Sequence, residues 1–315
     1  MQHWKVSRSS LAAGALLLCA LGAAVATPQL LGQRVSGALD TLGRADPHWL
    51  WLAALAFALS LVGSAGCWRS AIGLLGGRTT LADATARYGA GSLVNTFVPA
   101  RAGDAVRFAL FSRLVPGEHR LWSTGGAFVT VAAARAAALG VIVAAGAAFG
   151  VVPLWPLAIA AGFVAAAALL VRRARRHLGA AEVARLAGWV VFSTAARFAG
   201  ATAVAAAVGI HKPLIAALLI LPALDVSGLV PITPGNIGIA SAAIAVAFRA
   251  HGVSFSHGLA AGITLQALET AVGLSIGTAS VLWLAPYASP AIRRVVLVTS
   301  AAVAVAGATV LVSLL

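Results

Sequence analysis

The residues best suited to chemistry in this sequence are a few charged and amide side chains inside stretches that are otherwise apolar. Asn95, Arg101 and Asp104 stand in the segment NTFVPARAGD at positions 95–104, and Arg107 follows it. Guanidinium groups bind phosphate and carboxylate oxygens through paired, charge-assisted hydrogen bonds. This segment therefore indicates a site that binds an anionic group.

The composition places these residues in a membrane. The 315-residue chain is 61% apolar and 10% charged, with a mean hydropathy of +0.97, and several apolar stretches reach the roughly 20 residues that cross a bilayer as a helix. They are too long and too uninterrupted for the strands of an outer-membrane barrel. We therefore expect an all-α polytopic membrane protein. Its net charge of +14 then reflects the retention of Lys and Arg on the cytoplasmic side, and we expect no binding to nucleic acid.

Isolated polar residues inside apolar stretches are functional candidates, because a charge at the bilayer centre costs at least about 2.5 to 3.5 kcal/mol on insertion scales. Arg135 and Glu269 are each a lone charge in an apolar helix pattern, and Thr233 and Asn236 lie in a second break, SGLVPITPGN at positions 227–236. The candidate substrate-binding residues are Asn95, Arg101, Asp104, Arg107, Arg135, Thr233, Asn236 and Glu269.

The alternative role for these charges is structural. Arg101 with Asp104, or Arg135 with Glu269, would then form an ion pair, and Arg107 would extend to the cytoplasmic headgroups. Two further charges at membrane depth are Arg197 and Asp225, for which we expect structural pairing.

We expect no metal or cofactor. The two cysteines, Cys19 and Cys67, lie in apolar segments, and the seven histidines lack ligand spacing such as HxxxH. The sequence has no nucleotide-binding loop, so any energy coupling would come from ion gradients, the membrane potential or consumption of a product.

The apolar pattern predicts about seven transmembrane helices. Two further regions, at about 84–114 and 213–250, are apolar but broken. The run RRARRH at 172–177 and the pair Arg293 and Arg294 should both be cytoplasmic, which requires region 213–250 to return to the side that it enters. The same count between the spans 49–75 and 122–150 requires this of region 84–114. Both broken regions are therefore predicted to be re-entrant hairpins. The predicted spans are residues 11–31, 49–75, 122–150, 154–171, 187–209, 257–284 and 291–315.

The two breaks share the pattern V-P-x-x-x-G, in which Pro99 and Gly103 match Pro231 and Gly235 at one offset of 132 residues. Proline and glycine interrupt a helix, and such backbone is tolerated at membrane depth only where it is buried in protein or lines a wet cavity. Each break is followed by a half-helix whose positive end favours anions. The residues expected to form the breaks are Pro99, Gly103, Pro231, Pro234, Gly235 and Gly238.

The two broken regions would enter from opposite sides, which predicts an inverted-topology repeat of the kind found in transporters. We treat the chain as one integral membrane domain, residues 1–315. Its expected parts are a signal-anchor or signal-like first helix at 1–31, a first repeat at 49–150, a second repeat at 187–284 and a last helix at 291–315.

The segments GSLVNTFVPARAGDAVRFALFSRL and PITPGNIGIASAAIAVAFRAHGVS resemble the two signatures of the lysylphosphatidylglycerol synthase transmembrane-region, or flippase-like, family. The resemblance covers roughly residues 10 to 285. Ser241 and Ala134 stand where many members have acidic residues, which argues against proton coupling through those positions. The resemblance carries over to Asn95, Pro99, Arg101, Gly103, Asp104, Arg107, Thr233, Pro234, Gly235 and Gly238.

This resemblance implies a protein of the cytoplasmic membrane and cell envelope that moves, or helps to move, an anionic phospholipid or lipid-linked glycan precursor between leaflets. The charge run places the loop at 172–176 on the cytoplasmic side. Members named as synthases carry a soluble transferase domain after the membrane region, and this sequence ends at Leu315. We therefore expect no enzyme activity. The alternatives are an intramembrane enzyme acting on polyprenyl-phosphate lipids, or a non-transporting partner of a lipid or glycan synthesis enzyme.

Overall fold

The fold is all-helical in the part of the chain that the computed structural model describes, which is residues 41, 43–98, 102–152, 161–162, 165, 180–227 and 238–285. Those residues form eight helices and no strands. This confirms the helical class expected from the sequence. The helices are α1 (Pro47–Gly73), α2 (Leu81–Phe97), α3 (Ala102–Ser112), α4 (Arg120–Ala148), α5 (Ala180–Ala207), α6 (Pro213–Ser227), α7 (Ile239–Arg249) and α8 (Phe255–Leu284).

Four of these helices, α1, α4, α5 and α8, are long and apolar enough to cross a membrane. Seven of their eight ends lie within two residues of a predicted span, and α5 begins seven residues before its predicted span. The predicted spans that these helices match are 49–75, 122–150, 187–209 and 257–284. Outside the described residues lie the predicted spans 11–31 and 291–315, and all of 154–171 except residues 161, 162 and 165.

Capping residues define where the first two helices begin. The Asp46 carboxylate accepts a hydrogen bond from His48 N at 2.9 Å, and Pro47 occupies the first position of α1, where a missing N–H costs nothing. The Thr80 hydroxyl accepts a hydrogen bond from Asp83 N at 3.1 Å at the start of α2. Both helices therefore begin at a polar residue that satisfies an otherwise unpaired amide.

Both broken regions are helix pairs: region 84–114 contains α2 and α3, and region 213–250 contains α6 and α7. Gly103, which we expected to precede α3, lies instead in its first turn. Helix α7 begins directly after Gly238, whose φ of 88° is left-handed and therefore interrupts a helix. The other expected break residues, Pro99, Pro231, Pro234 and Gly235, lie outside the described residues.

Helices α2 and α3 pack against each other in opposite directions. Near the start of α2, Arg87 Nη1 donates to the carbonyl oxygen of Leu110, close to the end of α3, at 2.8 Å. Outside the pair, a Cβ added to Gly77 would lie 2.8 Å from the carbonyl oxygen of Leu114. The chain therefore leaves this helix pair beside the point where it enters.

The most extensive helix contact in the described residues joins α1 and α5, which are also antiparallel. Asp46 N, just before α1, donates to the carbonyl oxygen of Ala207 at the end of α5 at 3.1 Å. Further along, Gly66 lies directly against the indole of Trp189. A small residue there lets the two helices approach closely, which is how packing stabilises helix pairs in membranes.

The helix contacts of the first half of the chain recur in the second half. Helix α2 packs on α3 as α6 packs on α7, and α1 packs on α2 as α5 packs on α6. Across the halves, α2 packs on α8 and α6 packs on α4. The described helices therefore form two groups, α1 to α4 and α5 to α8, with corresponding contacts.

Large apolar side chains cover the outside of this helix assembly. Trp51, Trp122, Val141 and Leu282 are each more than half exposed, although they belong to membrane-length helices. Large exposed apolar side chains on several membrane-length helices are typical of a protein that lipid surrounds. The described helices therefore belong to a membrane protein.

Candidate functional site

The first part of the candidate site is the contact between α2 and α3. Asn95 Oδ1, near the end of α2, accepts a hydrogen bond from Gly103 N in the first turn of α3 at 2.7 Å. A Cβ on Gly103 would overlap the carbonyl oxygen of Gly91, so glycine is required for this close approach. The amide side chain and the glycine together hold the two helices at the break.

Arg107 is bound within the same helix pair. Its Nη1 forms an ion pair with Asp104 Oδ1 at 2.5 Å, and its Nη2 donates to Ser92 Oγ at 2.7 Å. Its Nε donates to the carbonyl oxygen of Tyr88 at 3.3 Å, so each nitrogen of the guanidinium has a protein partner. The side chain is 12% exposed. This geometry positions Arg107 firmly, and its contact with substrate stays a prediction.

Tyr88 connects Arg107 to a second arginine. Its ring lies 4.0 Å from the guanidinium carbon of Arg107, within the range of a cation–π contact. Its hydroxyl accepts a hydrogen bond from Arg135 Nη1 at 3.5 Å. Sequence reasoning missed Tyr88, although it is one of two tyrosines in the chain and stands in a broken region.

Arg135 lies near the middle of α4, at membrane depth. Its Nη2 donates to Ser64 Oγ of α1 at 2.7 Å. Among the described residues, no carboxylate oxygen lies within 4.0 Å of its nitrogens. Its two partners in the described part of the chain, the hydroxyls of Ser64 and Tyr88, are neutral donor–acceptor groups, so no described anion lies next to the positive charge of Arg135.

Arg197, near the middle of α5, differs from Arg135 because it lies next to two carboxylates. Its Nη1 lies 2.6 Å from Asp225 Oδ1 of α6, and its Nε lies 3.7 Å from Glu269 Oε1 of α8. The structural pairing expected for Arg197 and Asp225 is confirmed. The alternative pairing of Arg135 with Glu269 is wrong, because Glu269 faces the guanidinium of Arg197.

A cavity of about 40 Å³ lies between α4, α5 and α6. This volume admits a few water molecules, so a phospholipid headgroup would enter only if these helices moved apart. The two central arginines meet at this cavity, together with two hydroxyls and one carboxylate. Its lining includes Arg135, Ser193, Thr194, Arg197, Leu221 and Asp225.

The start of α7 is held by an amide side chain, as the start of α3 is. Gln266 Oε1 of α8 accepts hydrogen bonds from Gly238 N at 3.2 Å and from Ser241 Oγ at 2.9 Å. Asn95 and Gln266 thus have matching roles at the two half-helices. Sequence reasoning missed Gln266, because its partners are more than 20 residues away along the chain.

The structure brings Asn95, Asp104, Arg107 and, through Tyr88, Arg135 into one group. Glu269 belongs to the neighbouring group around Arg197. In the described part of the chain, no cluster of three or more His, Cys, Asp or Glu side chains has a metal-binding arrangement. The predicted site residues Arg101, Thr233 and Asn236 lie outside the described residues.

These helices and buried charges define a polytopic helical membrane protein with a polar centre. The chain belongs to the family described as the lysylphosphatidylglycerol synthase TM region, which matches residues 10–277. This confirms the resemblance seen in the two sequence motifs. The match covers a membrane region and includes no catalytic synthase domain. A comparison with curated proteins finds no match.

Proposed function

We propose that this protein is a flippase that moves an anionic, phosphate-bearing phospholipid or lipid-linked glycan precursor across the cytoplasmic membrane. One observation carries the proposal: Arg135, at the middle of a membrane-length helix, faces a polar cavity without a described carboxylate in contact. An uncompensated charge at that depth is costly, and an anionic ligand would offset the cost.

The groups around Arg135 suit a phosphate. Two guanidinium groups, those of Arg135 and Arg197, supply several donors, and the hydroxyl of Thr194 supplies one more. The acyl or prenyl tails would remain in the bilayer, where the apolar outer surface of the helices meets lipid. The headgroup of an amphiphile would thus bind in the site while its tails stay in the lipid.

An inverted repeat would provide the movement that such transport needs. Antiparallel packing of the corresponding helices α1 and α5 supports it, because two equivalent helices in opposite directions require a two-fold axis in the membrane plane. Individual contacts correspond as well: Ser64 bonds Arg135, and Arg197, 133 positions after Ser64, contacts Glu269, 134 positions after Arg135. Rocking of one repeat against the other would expose the site to each leaflet in turn.

The re-entrant path of the broken regions is part of this proposal. The return of the chain at Gly77 and Leu114 supports it for the first region. The second region would enter from the opposite side, and the loop at 172–176 would lie in the cytoplasm. This topology follows from the distribution of Lys and Arg.

Translocation of a fluorescent anionic lipid in reconstituted liposomes tests the function. Phosphatidylglycerol with a reducible fluorophore is placed in both leaflets, and a membrane-impermeant reductant quenches the outer leaflet. With the wild-type protein the protected fraction should fall further than in protein-free liposomes. Arg135→Ala should abolish this additional loss, whereas Arg249→Ala, which changes an exposed arginine at the end of α7, should retain it.

A further variant tests the role of the first break, at positions 95–104. Arg101→Ala combined with Arg107→Ala should also lose translocation, because it removes the positive charge that the break contributes. Unchanged translocation in this double variant would exclude the assigned site, and equal quenching with and without wild-type protein would exclude the flippase.

A further inference from the structure

Arg197 is shared between two carboxylates at membrane depth. Asp225 Oδ1 lies 2.6 Å from its Nη1 and forms a direct hydrogen bond, whereas Glu269 Oε1 lies 3.7 Å from its Nε, beyond hydrogen-bond distance. When two carboxylates share one cation, the more weakly held one takes up a proton more easily. In this group that carboxylate is Glu269.

The formal charges of the side chains in this group sum to zero when no ligand is bound, although Arg135 itself has no described carboxylate in contact. The groups that act electrostatically on Glu269 are Arg197 from α5 and Asp225 from α6. Arg197 in turn interacts with Tyr88 of α2 and with Arg135 of α4. Arg135, Arg197 and Asp225 line the cavity, and Glu269 contacts Arg197, so this group contains two arginines and two carboxylates in the part of the chain that the structure describes. An anion that entered the cavity would give this site an excess of negative charge.

We propose that Glu269 is a proton-binding site, and that a proton binds to it when the anionic headgroup binds beside Arg135 and Arg197. This inference rests on the proposed function. Arg197 both lines the cavity and contacts Glu269, so an anion attracted to its guanidinium competes with the Glu269 carboxylate for the same positive charge. Protonation neutralises Glu269 and removes that competition.

The consequence is coupled transport. The anion and the proton enter the centre of the membrane together, so the translocated complex carries less net charge than the anion alone. A proton gradient would then drive movement of the lipid. Glu269 supplies this coupling on a helix of the second repeat, away from positions 134 and 241, where the sequence has no carboxylate.

Proton uptake on ligand binding tests the inference. The purified protein in detergent is titrated with dihexanoylphosphatidylglycerol, a soluble phosphodiester that does not itself titrate near neutral pH. Isothermal titration calorimetry in two buffers with different heats of ionisation then gives the number of protons taken up for each bound ligand. Dihexanoylphosphatidylcholine, which carries no net charge, is the matched ligand control.

We expect the wild-type protein to take up a proton with phosphatidylglycerol. Glu269→Gln should bind the same ligand without proton uptake, and Glu118→Gln, which changes an exposed carboxylate between α3 and α4, should keep the uptake. Size-exclusion chromatography establishes that each variant is folded and monodisperse.

Binding by the wild-type protein without proton uptake would overturn the inference and leave the proposed function standing, and this outcome does not depend on any variant folding. Proton uptake that persists in Glu269→Gln would also overturn it. Failure of the wild-type protein to bind phosphatidylglycerol, together with no translocation in liposomes, would contradict the proposed function itself.

Discussion

The hydroxyl of Tyr88 lies 3.5 Å from Arg135 Nη1, while the ring of the same tyrosine packs under the guanidinium of Arg107. One side chain of α2 thus contacts two arginines, Arg107 of α3 and Arg135 of α4. The two guanidinium groups are kept apart by an aromatic ring and held in fixed orientations. Tyr88 is therefore a positioning residue for the candidate site.

Two replacements of Tyr88 distinguish the effect of its hydroxyl contact with Arg135 from that of its ring contact with Arg107. Tyr88→Phe keeps the ring under Arg107 and removes only the hydroxyl, so we expect reduced lipid translocation with little change in stability. Tyr88→Leu also removes the cation–π contact, worth about 0.5 to 2 kcal/mol, and should lower the thermal unfolding temperature as well. Liposome translocation and thermal unfolding in detergent measure the two effects. Equal translocation by wild-type and Tyr88→Phe protein would contradict the positioning role.

A methyl group at Gly103 should destabilise the protein. The added Cβ would overlap the carbonyl oxygen of Gly91 in α2, and such overpacking costs about 1 to 3 kcal/mol. Gly125→Ala is the matched control, because a Cβ at that position of α4 meets no atom within 4 Å. Thermal unfolding should show a lower midpoint for Gly103→Ala and an unchanged or higher midpoint for Gly125→Ala. The opposite order would exclude the close approach of α2 and α3.

The two carboxylates on Arg197 should contribute differently to stability. Asp225→Asn removes the charge from a hydrogen bond of 2.6 Å, and bonds to charged groups contribute about 1.5 to 3 kcal/mol. Glu269→Gln changes a longer contact of 3.7 Å and should have a smaller effect. Denaturant or thermal unfolding of the two variants, side by side, measures this difference. A larger loss for Glu269→Gln would mean that Glu269 holds Arg197 more firmly than the distances indicate.

Cysteine accessibility tests the re-entrant topology. Single cysteines are introduced at exposed positions on both sides of each broken region, in a background without Cys19 and Cys67. Arg78→Cys and Glu118→Cys should both react from the cytoplasmic side, and Lys212→Cys and His251→Cys from the opposite side. A membrane-impermeant maleimide added to intact cells or to inverted vesicles distinguishes the two sides. Labelling of Arg78→Cys and Glu118→Cys from opposite sides would make region 84–114 a true membrane crossing.

The Gln266 side chain should be needed for the start of α7. Gln266→Leu removes the acceptor for Gly238 N and Ser241 Oγ but keeps a side chain of similar size. Unsatisfied polar groups that remain buried cost about 1 to 3 kcal/mol, so we expect a lower unfolding midpoint. Gln266→Glu retains an acceptor and should recover part of the loss. Identical midpoints for Gln266→Leu and wild-type protein would contradict this role.

The sequence predicted the parts of the fold that depend on local composition. Length and hydropathy indicated the four described membrane-length helices, and proline and glycine indicated where two regions break. The contacts between distant helices were not predictable, because a lone charge in an apolar helix does not reveal which neighbour it faces. For this reason Arg135 was paired with Glu269 as one alternative, whereas its partners are Ser64 and Tyr88.

The partners that were missed are neutral residues. Ser64, Tyr88 and Gln266 attract no attention in a sequence, since serine, tyrosine and glutamine also occur in ordinary helix packing. Their roles follow from packing between helices that lie far apart along the chain. Arg197 and Asp225 were correctly paired because both are charged and at membrane depth, where charges need compensation.

The close contact of Gly66 with Trp189 has a mechanical consequence. If α1 and α5 move against each other as we propose, the displacement would be smallest where the two helices are in closest contact. Gly63 against Ser193 and Gly66 against Trp189 lie in that region, and neither glycine has space for a Cβ. In the rocking movement that we propose, the α1–α5 contact would therefore be the pivot, and displacement would be largest at the helix ends and in the broken helices.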